Sequence, residues 1–293
     1  MIISPIFYMG NKKKLIKKGL TEMFPKNINT FFDLFAGSCM VSMNSKASSY
    51  VINDINPRLI QLYNMFKNFT SSHIIERIEK NIENFGLPKE RTKRNVYNNL
   101  SKLEEYKEAY NNLRHKYNSE KNVFDFYTLM FYSFSQQFRF SKNGNFNMPF
   151  GNDCFSEKNK EYIVEAESFF KSDKLQIFNT QYYNLIDMIK KDDFVYIDPP
   201  YLNTVAVYNE HNGWSYDDEE KLLLFCEEIN RRGIKFAMSN VVVSKNIVNT
   251  SLISWCEKMK FHVYEFKNFG YTTCGNINSV KEVLICNYEV GNV

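Results

Sequence analysis

The residues best suited to chemistry are Asp198, Pro199, Pro200 and Tyr201, which directly follow the apolar run 194–197. That run is short, aromatic and β-branched, and it predicts a buried parallel strand. Because ligands bind at the carboxyl ends of strands in open α/β sheets, the loop lies where a substrate would be held. Proline restricts the preceding residue to extended geometry, so the loop is stiff and its carbonyl groups have fixed directions.

Such a loop offers two hydrogen-bond acceptors to one substrate amine, the Asp198 carboxylate and the Pro199 carbonyl group. Together they would draw a conjugated exocyclic amine out of its ring plane, so that its lone pair faces a sulfonium methyl group while Tyr201 stacks on the base. Positioning and electrostatic stabilisation suffice for this methyl transfer, without a metal ion or a covalent intermediate. The structural alternative is a strand-ending turn, since Asp-Pro is common turn chemistry.

Two further strand ends are suited to holding a cofactor. The run 30–35 leads into Ala36-Gly37-Ser38 and predicts a strand that turns tightly into a helix, where Gly37 lets the backbone approach a ligand. The next predicted strand, 50–53, ends before Asp54, whose carboxylate is placed to bind ribose hydroxyl groups, as in dinucleotide-binding folds. A role for Asp54 in capping a helix is the alternative interpretation.

A helical module interrupts this α/β pattern. After residue 57 the sequence is charged and rich in Asn and Tyr, and its apolar and aromatic residues recur at helical spacing over 102–116. The α/β pattern returns after 174, with an acidic helix predicted over 216–230 and strands predicted over 234–238 and 283–286. We therefore predict a catalytic domain and an inserted target-recognition domain. The catalytic domain comprises residues 1–56 and 166–293, and the inserted domain comprises residues 57–165.

An Asn143-Gly144 step between aromatic runs predicts a β-hairpin near the end of the insertion. Its Arg139, Gln136 and Gln137 are types that read base edges, since Arg pairs bidentately with guanine and Gln with adenine. A hairpin with ordinary polar surface residues is the structural alternative.

The charge distribution agrees with a polyanionic partner. Residues 58–150 carry fifteen basic and nine acidic side chains, whereas residues 151–293 carry fifteen and twenty-one, within a net charge of +4. Phosphate contacts supply most non-specific affinity for nucleic acids, although solvated helix faces would give the same pattern.

No run of about 18 apolar residues predicts a membrane span, and the six cysteines show neither a C-x-x-C pair nor paired His spacing. We expect a cytoplasmic protein with free, mostly buried thiols and no metal site.

Taken in order, these motifs resemble those of the Dam-type DNA adenine methyltransferases, and the resemblance covers most of the chain. It rests mainly on five segments, namely Tyr8 to Lys12, Asp33 to Gly37, Asn53-Asp54, Arg139 to Gly151 and Phe194 to Tyr201. Ser239-Asn240 and Glu282 to Tyr288 resemble later segments of the family. The fold that this resemblance implies is a Rossmann-like S-adenosylmethionine-dependent methyltransferase sheet, with an inserted helical target-recognition domain that carries a β-hairpin. The implied activity is methylation of the exocyclic amine of adenine in a palindromic site of double-stranded DNA. The adenine must be flipped out of the duplex.

The resemblance also implies roles for individual residues. Catalysis is assigned to Asp198, Pro199, Pro200 and Tyr201. The implied S-adenosylmethionine site comprises Tyr8, Gly10, Lys12, Asp33, Phe35, Gly37, Asp54, Gln181 and Asp198. The implied DNA contacts are Phe134, Ser135, Gln136, Gln137, Arg139, Asn147, Pro149 and Asn152, with Phe134 supporting the strand from which adenine leaves.

Departures from the family pattern concern mainly target recognition. Gln137 stands where relatives place an apolar residue, Asn152 where some have arginine, and Phe7 where some have lysine. GATC is the leading target, and a different or longer palindrome competes with it. In the cofactor site, Gln181 replaces an acid, and Gly37-Ser38-Cys39 replaces Gly-Gly or Gly-x-Gly, which is tolerable if only Gly37 needs unusual backbone angles.

Two alternative functions remain open from the sequence. One is methylation of another amino group, in cytosine, RNA adenine or protein glutamine, and the other is a non-catalytic DNA-binding regulator with a methyltransferase fold. Double-stranded DNA is the expected partner, in a bacterial or phage-infected cell. A cognate restriction endonuclease is a further candidate partner.

Overall fold

The computed structural model describes residues 1–91, 100–202, 214–244, 247–266 and 281–291, and the chain divides into two compact units. Unit 1 comprises Met1, 12–56 and 174–293, and unit 2 comprises 2–11 and 57–173. The units divide after residue 56, where we expect the first catalytic segment to end, but residues 2–11, which we expect in the catalytic domain, lie in unit 2. The assignment of the two functional domains stays a prediction. The boundary expected at 165/166 falls inside the helix Glu157–Phe170, which belongs wholly to unit 2 because its backbone hydrogen bonding is continuous.

The described residues of unit 1 form one eight-stranded sheet. Its strands are β1 Thr30–Asp33, β2 Ser49–Asn53, β3 Leu175–Phe178, β4 Phe194–Ile197, β5 Lys235–Ser244, β6 Ile247–Val248, β7 His262–Glu265 and β8 Lys281–Cys286. The order across the sheet is β3-β2-β1-β4-β5-β8-β7, with β6 paired to β5. Strands β1 to β5 pair in parallel, and β8 runs antiparallel between β5 and β7. The expected Rossmann-like α/β sheet is confirmed.

Strands β1 and β4 lie side by side, with Phe32 opposite Val195 and Asp33 opposite Tyr196. The chain continues from β1 to β2 and from β4 to β5, in opposite directions across the sheet. The carboxyl ends of β1 and β4 therefore form the topological switch point, where ligands bind in such folds. All five predicted strands are present, and β5 extends to Ser244, beyond its predicted end. Strand β4 is fully buried, as its continuous apolar run predicts.

Helices cover the sheet of unit 1. They are Lys13–Ile16, Met40–Asn44, Tyr216–Arg231 and Thr250–Met259. The helix Tyr216–Arg231 begins with a capping box between Ser215 and Asp218, and acidic side chains in its first turn interact favourably with the helix dipole. Its Leu222, Phe225 and Ile229 recur at helical spacing and pack into the core beneath the sheet.

Unit 2 is helical. Its helices are Pro57–Asn68, Ser71–Phe85, Leu100–Glu120, Val123–Tyr132 and Glu157–Phe170. Every residue from Phe124 to Tyr132 is buried, so the helix Val123–Tyr132 forms the centre of the unit. The helix predicted over 102–116 lies within Leu100–Glu120.

Among the described residues, no helix is long and apolar enough to cross a membrane. The same residues contain no group of three or more His, Cys, Asp or Glu side chains that could hold a metal ion. Cys39, Cys154, Cys226, Cys256 and Cys286 are buried free thiols. The sixth cysteine, Cys274, lies outside the described residues.

Candidate active site

Asp198 follows β4 at the switch point, and both of its carboxylate oxygens have partners. Lys12 Nζ lies 2.7 Å from Oδ2, and the Tyr201 hydroxyl group donates a hydrogen bond of 2.8 Å to Oδ1. The Asp198 side chain is 18% exposed, so it still reaches the surface of unit 1. Because each carboxylate oxygen has two acceptor directions, Asp198 can accept a further hydrogen bond from a substrate in a fixed orientation.

Glu282 is a second carboxylate of this cluster that the sequence analysis did not assign to the site. It lies at the beginning of β8, which runs antiparallel to β5 and therefore starts at the same sheet edge. Tyr201 donates to Glu282 Oε1 at 3.2 Å, and Lys12 Nζ is 3.7 Å from that oxygen. Burial raises the pKa of Glu282, the charge of Lys12 lowers it and Asp198 raises it again. The sequence signal that could have identified Glu282 is an acidic residue at the start of the otherwise apolar strand β8.

Asp33 ends β1 and is 1% exposed. The Ser42 hydroxyl group donates to Asp33 Oδ2 at 2.5 Å, whereas Oδ1 has no hydrogen-bond partner among the described residues. Burial raises the pKa of Asp33 to about 7; the hydrogen bond from Ser42 opposes this shift, and the charges of Asp198 and Asp54 add to it. The site therefore contains a carboxyl group that is partly protonated at neutral pH.

Asp54 follows β2 and braces the turn after β1. Its Oδ2 accepts a hydrogen bond of 2.9 Å from the Gly37 backbone N–H, and its Oδ1 accepts one of 2.8 Å from Asn56. Burial raises the pKa of Asp54 to about 6, and these two backbone hydrogen bonds oppose the shift. The carboxylate therefore stabilises this loop, and the expected contact of Asp54 with the cofactor stays a prediction.

The turn after β1 contains two left-handed residues, Gly37 at φ +52° and Cys39 at φ +57°. The condition under which this departure from the family pattern would be tolerable, that only Gly37 needs unusual backbone angles, is therefore not met. Cys39 stands where the family pattern has a second glycine, and a left-handed side-chain residue costs roughly 1–2 kcal/mol. The buried Cys39 side chain packs in the core, which offsets part of this cost.

The turn after β3 is tied to the end of β2. Asn53 Nδ2 donates to the Thr180 carbonyl oxygen at 3.1 Å, and Thr180 N–H donates back to Asn53 Oδ1 at 3.1 Å. Asn179 Nδ2 donates to the Asp54 carbonyl oxygen at 2.8 Å. Gln181, the next residue, is exposed, so its amide group is available beside this strand end. The structure thus brings Gln181 and Asp54 to neighbouring turns.

Phe35 lies in the same turn as Gly37, and its ring centroid is 5.2 Å from that of Tyr182. The ring is half-buried against the apolar core of unit 1. Five predicted cofactor-site residues, Asp33, Phe35, Gly37, Asp54 and Asp198, therefore follow or end β1, β2 and β4 in one unit.

The first predicted motif is divided between the two units. Lys12 belongs to unit 1, whereas Tyr8 and Gly10 belong to unit 2. Within unit 2, the Tyr8 ring lies 5.6 Å from the ring of Phe138, and Gly10 is exposed at φ +76°. The expectation that Tyr8 and Gly10 line the cofactor site remains a prediction.

The predicted hairpin is present in unit 2 as a narrow antiparallel loop with a bridge between Phe140 and Phe146. Ser141 N–H donates to the Asn145 carbonyl oxygen at 2.8 Å, Gly144 N–H donates to that of Ser141 at 2.8 Å, and Gly144 is left-handed at φ +72°. This is the three-residue hairpin loop with glycine at its left-handed position. The Asn-Gly step therefore predicted the hairpin correctly.

Aromatic residues fix one face of this hairpin. The rings of Phe138, Phe140 and Phe146 lie 5.3, 5.5 and 6.0 Å from the ring of Phe126 in the central helix. Since side chains alternate along an extended segment, Arg139 projects from the opposite face and is exposed. Asn147 holds it there, because Arg139 Nε donates to Asn147 Oδ1 at 2.8 Å and Nη2 donates to the Asn147 carbonyl oxygen at 3.2 Å.

The remaining predicted DNA-contacting residues flank the hairpin. Phe134, Ser135 and Gln136 form a short turn in which Phe134 is 59% exposed and Ser135 and Gln136 have φ near +55° (+56° and +54°). Gln137 is half-buried, and Pro149 and Asn152 are exposed. The exposed members of this set, together with Arg139, form a surface of unit 2 that we call the hairpin surface.

Fold and site together define a protein of the Rossmann-like α/β class, with a cluster of carboxyl groups from Asp33, Asp198 and Glu282 at the switch point of its sheet. The chain matches the D12 class N6 adenine-specific DNA methyltransferase family over residues 8–273, and it belongs to that family. The resemblance drawn from the motifs is thereby confirmed. Membership implies S-adenosylmethionine as the methyl donor.

Three relatives show the extent of the likeness. The modification methylase StsI of Streptococcus sanguinis is 34% identical over 98% of this chain and 43% of its own length. The type II methyltransferase M.FokI of Planomicrobium okeanokoites is 32% identical with the same coverage of both chains. The retron Ec67 DNA adenine methylase of Escherichia coli is 27% identical over 96% of this chain and 90% of its own length. The chain thus spans less than half the length of the first two relatives.

The residues of unit 1 fit this cofactor. S-adenosylmethionine carries a sulfonium and an ammonium group, and the switch point of the sheet presents carboxyl groups from Asp33, Asp198 and Glu282, of which Lys12 contacts two. The buried Asp33 Oδ1 has no hydrogen-bond partner among the described residues and is an acceptor for a cationic donor. Asp33 and Asp198 would face the cationic part, and Asp54 and Gln181 would lie towards the ribose and adenine.

Proposed function

We propose that this chain transfers the methyl group of S-adenosylmethionine to the exocyclic amine of a flipped adenine in double-stranded DNA, within GATC or a related palindrome. The observation that carries this proposal is the Asp198 carboxylate, held by Lys12 and Tyr201 at the carboxyl end of β4, next to the turn after β1. Family membership supports it. So do the names of the relatives, which include a DNA adenine methylase.

The residues of unit 1 would act mainly on the acceptor amine. The cofactor, when bound, supplies an electrophilic methyl group, and the sulfonium sulfur keeps the bonding electrons when that group leaves. Asp198 and the Pro199 carbonyl group would each accept one amine hydrogen, which directs the nitrogen lone pair at the methyl carbon. The amine becomes cationic as the N–C bond forms, and the negative charge of Asp198 stabilises it before a proton is lost.

Tyr201 and Lys12 would keep Asp198 in position for this step. The Tyr201 hydroxyl group bonds to Asp198 and Glu282, which fixes its ring, and Lys12 Nζ lies 5.3 Å from the ring centroid. A fixed ring in the catalytic loop suits stacking on the flipped base. No metal ion takes part in this scheme.

The test of the chemistry is expression in a methylation-deficient host, followed by single-molecule sequencing of the host DNA. The wild-type chain should give modified adenine within a fixed site. Asp198→Ala should abolish the signal because an acceptor for the amine is lost, and Asp192→Ala, an exposed acid before the same strand, should leave it unchanged. Near-normal methylation by Asp198→Ala would refute the assignment. A soluble wild-type protein that binds the cofactor without modifying adenine would favour RNA or protein as substrate.

Recognition is tested at Arg139, which Asn147 holds on the exposed face of the hairpin. A bidentate contact with a base is worth about 1–3 kcal/mol, so Arg139→Ala should reduce discrimination between sites roughly 5- to 150-fold. Cofactor affinity measured by calorimetry should not change. Lys142→Ala, which removes an exposed cation from the tip of the same hairpin, is the matched control. If Arg139→Ala discriminates between DNA sites as well as the wild type does, the hairpin surface is not the surface that recognises the target sequence.

Double-stranded DNA is the proposed partner, in the cytoplasm of a bacterial or phage-infected cell. Two relatives are named as a modification methylase and a type II methyltransferase, which supports a cognate restriction endonuclease as a second partner. DNA from the expressing host should then resist an endonuclease directed at the site that sequencing identifies.

A further inference from the structure

Glu219 is a buried carboxylate that the proposed reaction does not use. It lies in the first turn of the helix Tyr216–Arg231 and is 3% exposed. Trp214 Nε1 donates to Glu219 Oε2 at 2.7 Å, and the amides of Asn240 and Asn249 lie 3.4 Å from Oε1. All three partners are neutral. Burying a carboxylate among neutral donors is costly in free energy, so Glu219 is expected to contribute to the conformation of its partners.

Its conformational effect is to fix the indole ring of Trp214. A short hydrogen bond to a carboxylate is stronger than one between neutral groups, and it defines the direction of the indole N–H. Asn240 lies on β5 just beyond the residues paired with β4, and Asn249 caps the helix Thr250–Met259. Glu219 therefore joins Trp214 to two elements of the sheet edge at which Asp198 lies.

The fixed ring meets the turn after β1. The Trp214 ring centroid is 6.1 Å from that of Phe35, at an interplanar angle of 78°. Phe35 thus lies between Trp214 and Tyr182. Aromatic rings of this kind bind flat bases by stacking and cations through their π-faces, and S-adenosylmethionine contains both an adenine and a sulfonium group.

We propose that Trp214 contacts bound S-adenosylmethionine beside Phe35, and that Glu219 is the positioning residue that holds the indole ring there. This inference rests on the proposed function, since it assumes that the switch point of the sheet of unit 1 binds this cofactor. Trp214 and Glu219 act on cofactor affinity in this scheme, whereas Asp198 acts on the amine.

Tryptophan fluorescence tests this contact directly. The chain has two tryptophans, and in Trp255→Phe the emission comes from Trp214 alone. Titration with S-adenosylmethionine should change this emission and saturate at the dissociation constant given by calorimetry. The matched variant Trp214→Phe keeps only Trp255, whose Nε1 donates to Glu227, and its emission should stay constant.

Variants of Glu219 test the positioning role. Glu219→Gln retains an oxygen acceptor for the indole N–H and should keep the fluorescence response. Glu219→Leu removes it and should lose the response and weaken cofactor binding roughly tenfold, as expected for one base–aromatic contact. A melting temperature close to that of Glu219→Gln would show that Glu219→Leu is folded. If Glu219→Leu does not fold, the fluorescence comparison of the two single-tryptophan variants decides alone.

The outcomes separate the two proposals. Cofactor binding by calorimetry with unchanged Trp214 emission, or with an equal response from Trp255, would overturn this inference and leave the proposed function intact. Absence of cofactor binding in the wild-type protein would instead refute the proposed function.

Discussion

Replacing Asp33 by asparagine should change how the stability of unit 1 depends on pH. Burial raises the pKa of Asp33 from 3.8 to about 7 in the folded protein. The folded state therefore keeps a proton that the unfolded state has lost, and the free energy of unfolding falls as pH rises from about 4 to about 7. Above pH 7 the loss is complete and constant.

The size of this effect follows from the same pKa values. One pKa unit is worth about 1.4 kcal/mol, so the carboxyl group of Asp33 costs the folded state about 4 kcal/mol at full ionisation. Asp33→Asn cannot ionise and avoids this cost. The stability of the variant relative to wild type should therefore increase by several kcal/mol between pH 4.5 and pH 8, whatever constant offset the substitution introduces.

Urea unfolding followed by tryptophan fluorescence is the appropriate assay, because Trp214 and Trp255 both lie in unit 1 and are the two tryptophans of the chain. Asp192→Asn, at an exposed position, is the control and should follow the wild-type pH dependence. If the difference in unfolding free energy between Asp33→Asn and wild type is the same at pH 4.5 and pH 8, the raised pKa of Asp33 is refuted.

Two further substitutions test packing and charge. Gly151→Ala would place a Cβ atom 2.6 Å from the Ser133 carbonyl oxygen, so it should destabilise unit 2 by about 2 kcal/mol in thermal unfolding followed by circular dichroism. The control is Gly291→Ala, whose Cβ atom would have nothing within 4 Å and should not destabilise the protein. Equal melting temperatures of these two variants would contradict the close approach at Gly151. Lys12→Met removes a buried cation from two carboxylates and should cost unit 1 about 3 kcal/mol at pH 8. The cost should be smaller at pH 5, because burial raises the pKa of Glu282 and this group can then take up a proton; the same loss at both pH values in urea unfolding would show that charge is not the cause.

Local sequence patterns determined most of the elements of this fold. The apolar run 194–197 is strand β4, and the acidic segment after Ser215 is a capped helix, because burial periodicity and capping chemistry act over a few residues. The Asn143-Gly144 step likewise determined a hairpin, since glycine accepts the left-handed angle that the turn requires. The position of Asp198 at a strand end followed from the same local reading.

The environment of each candidate site residue depended on the tertiary structure. Glu282 joins Asp198 and Lys12 because β8 inserts antiparallel between β5 and β7, a pairing of distant segments that no local pattern encodes. The raised pKa of Asp33 and the left-handed angle of Cys39 likewise follow from burial and loop closure within the folded unit.

The sequence by itself therefore determined which elements form and which residues end the strands at the switch point. The tertiary structure alone decided which charges meet there, because electrostatic contacts depend on distances between segments far apart in the chain and on their removal from water.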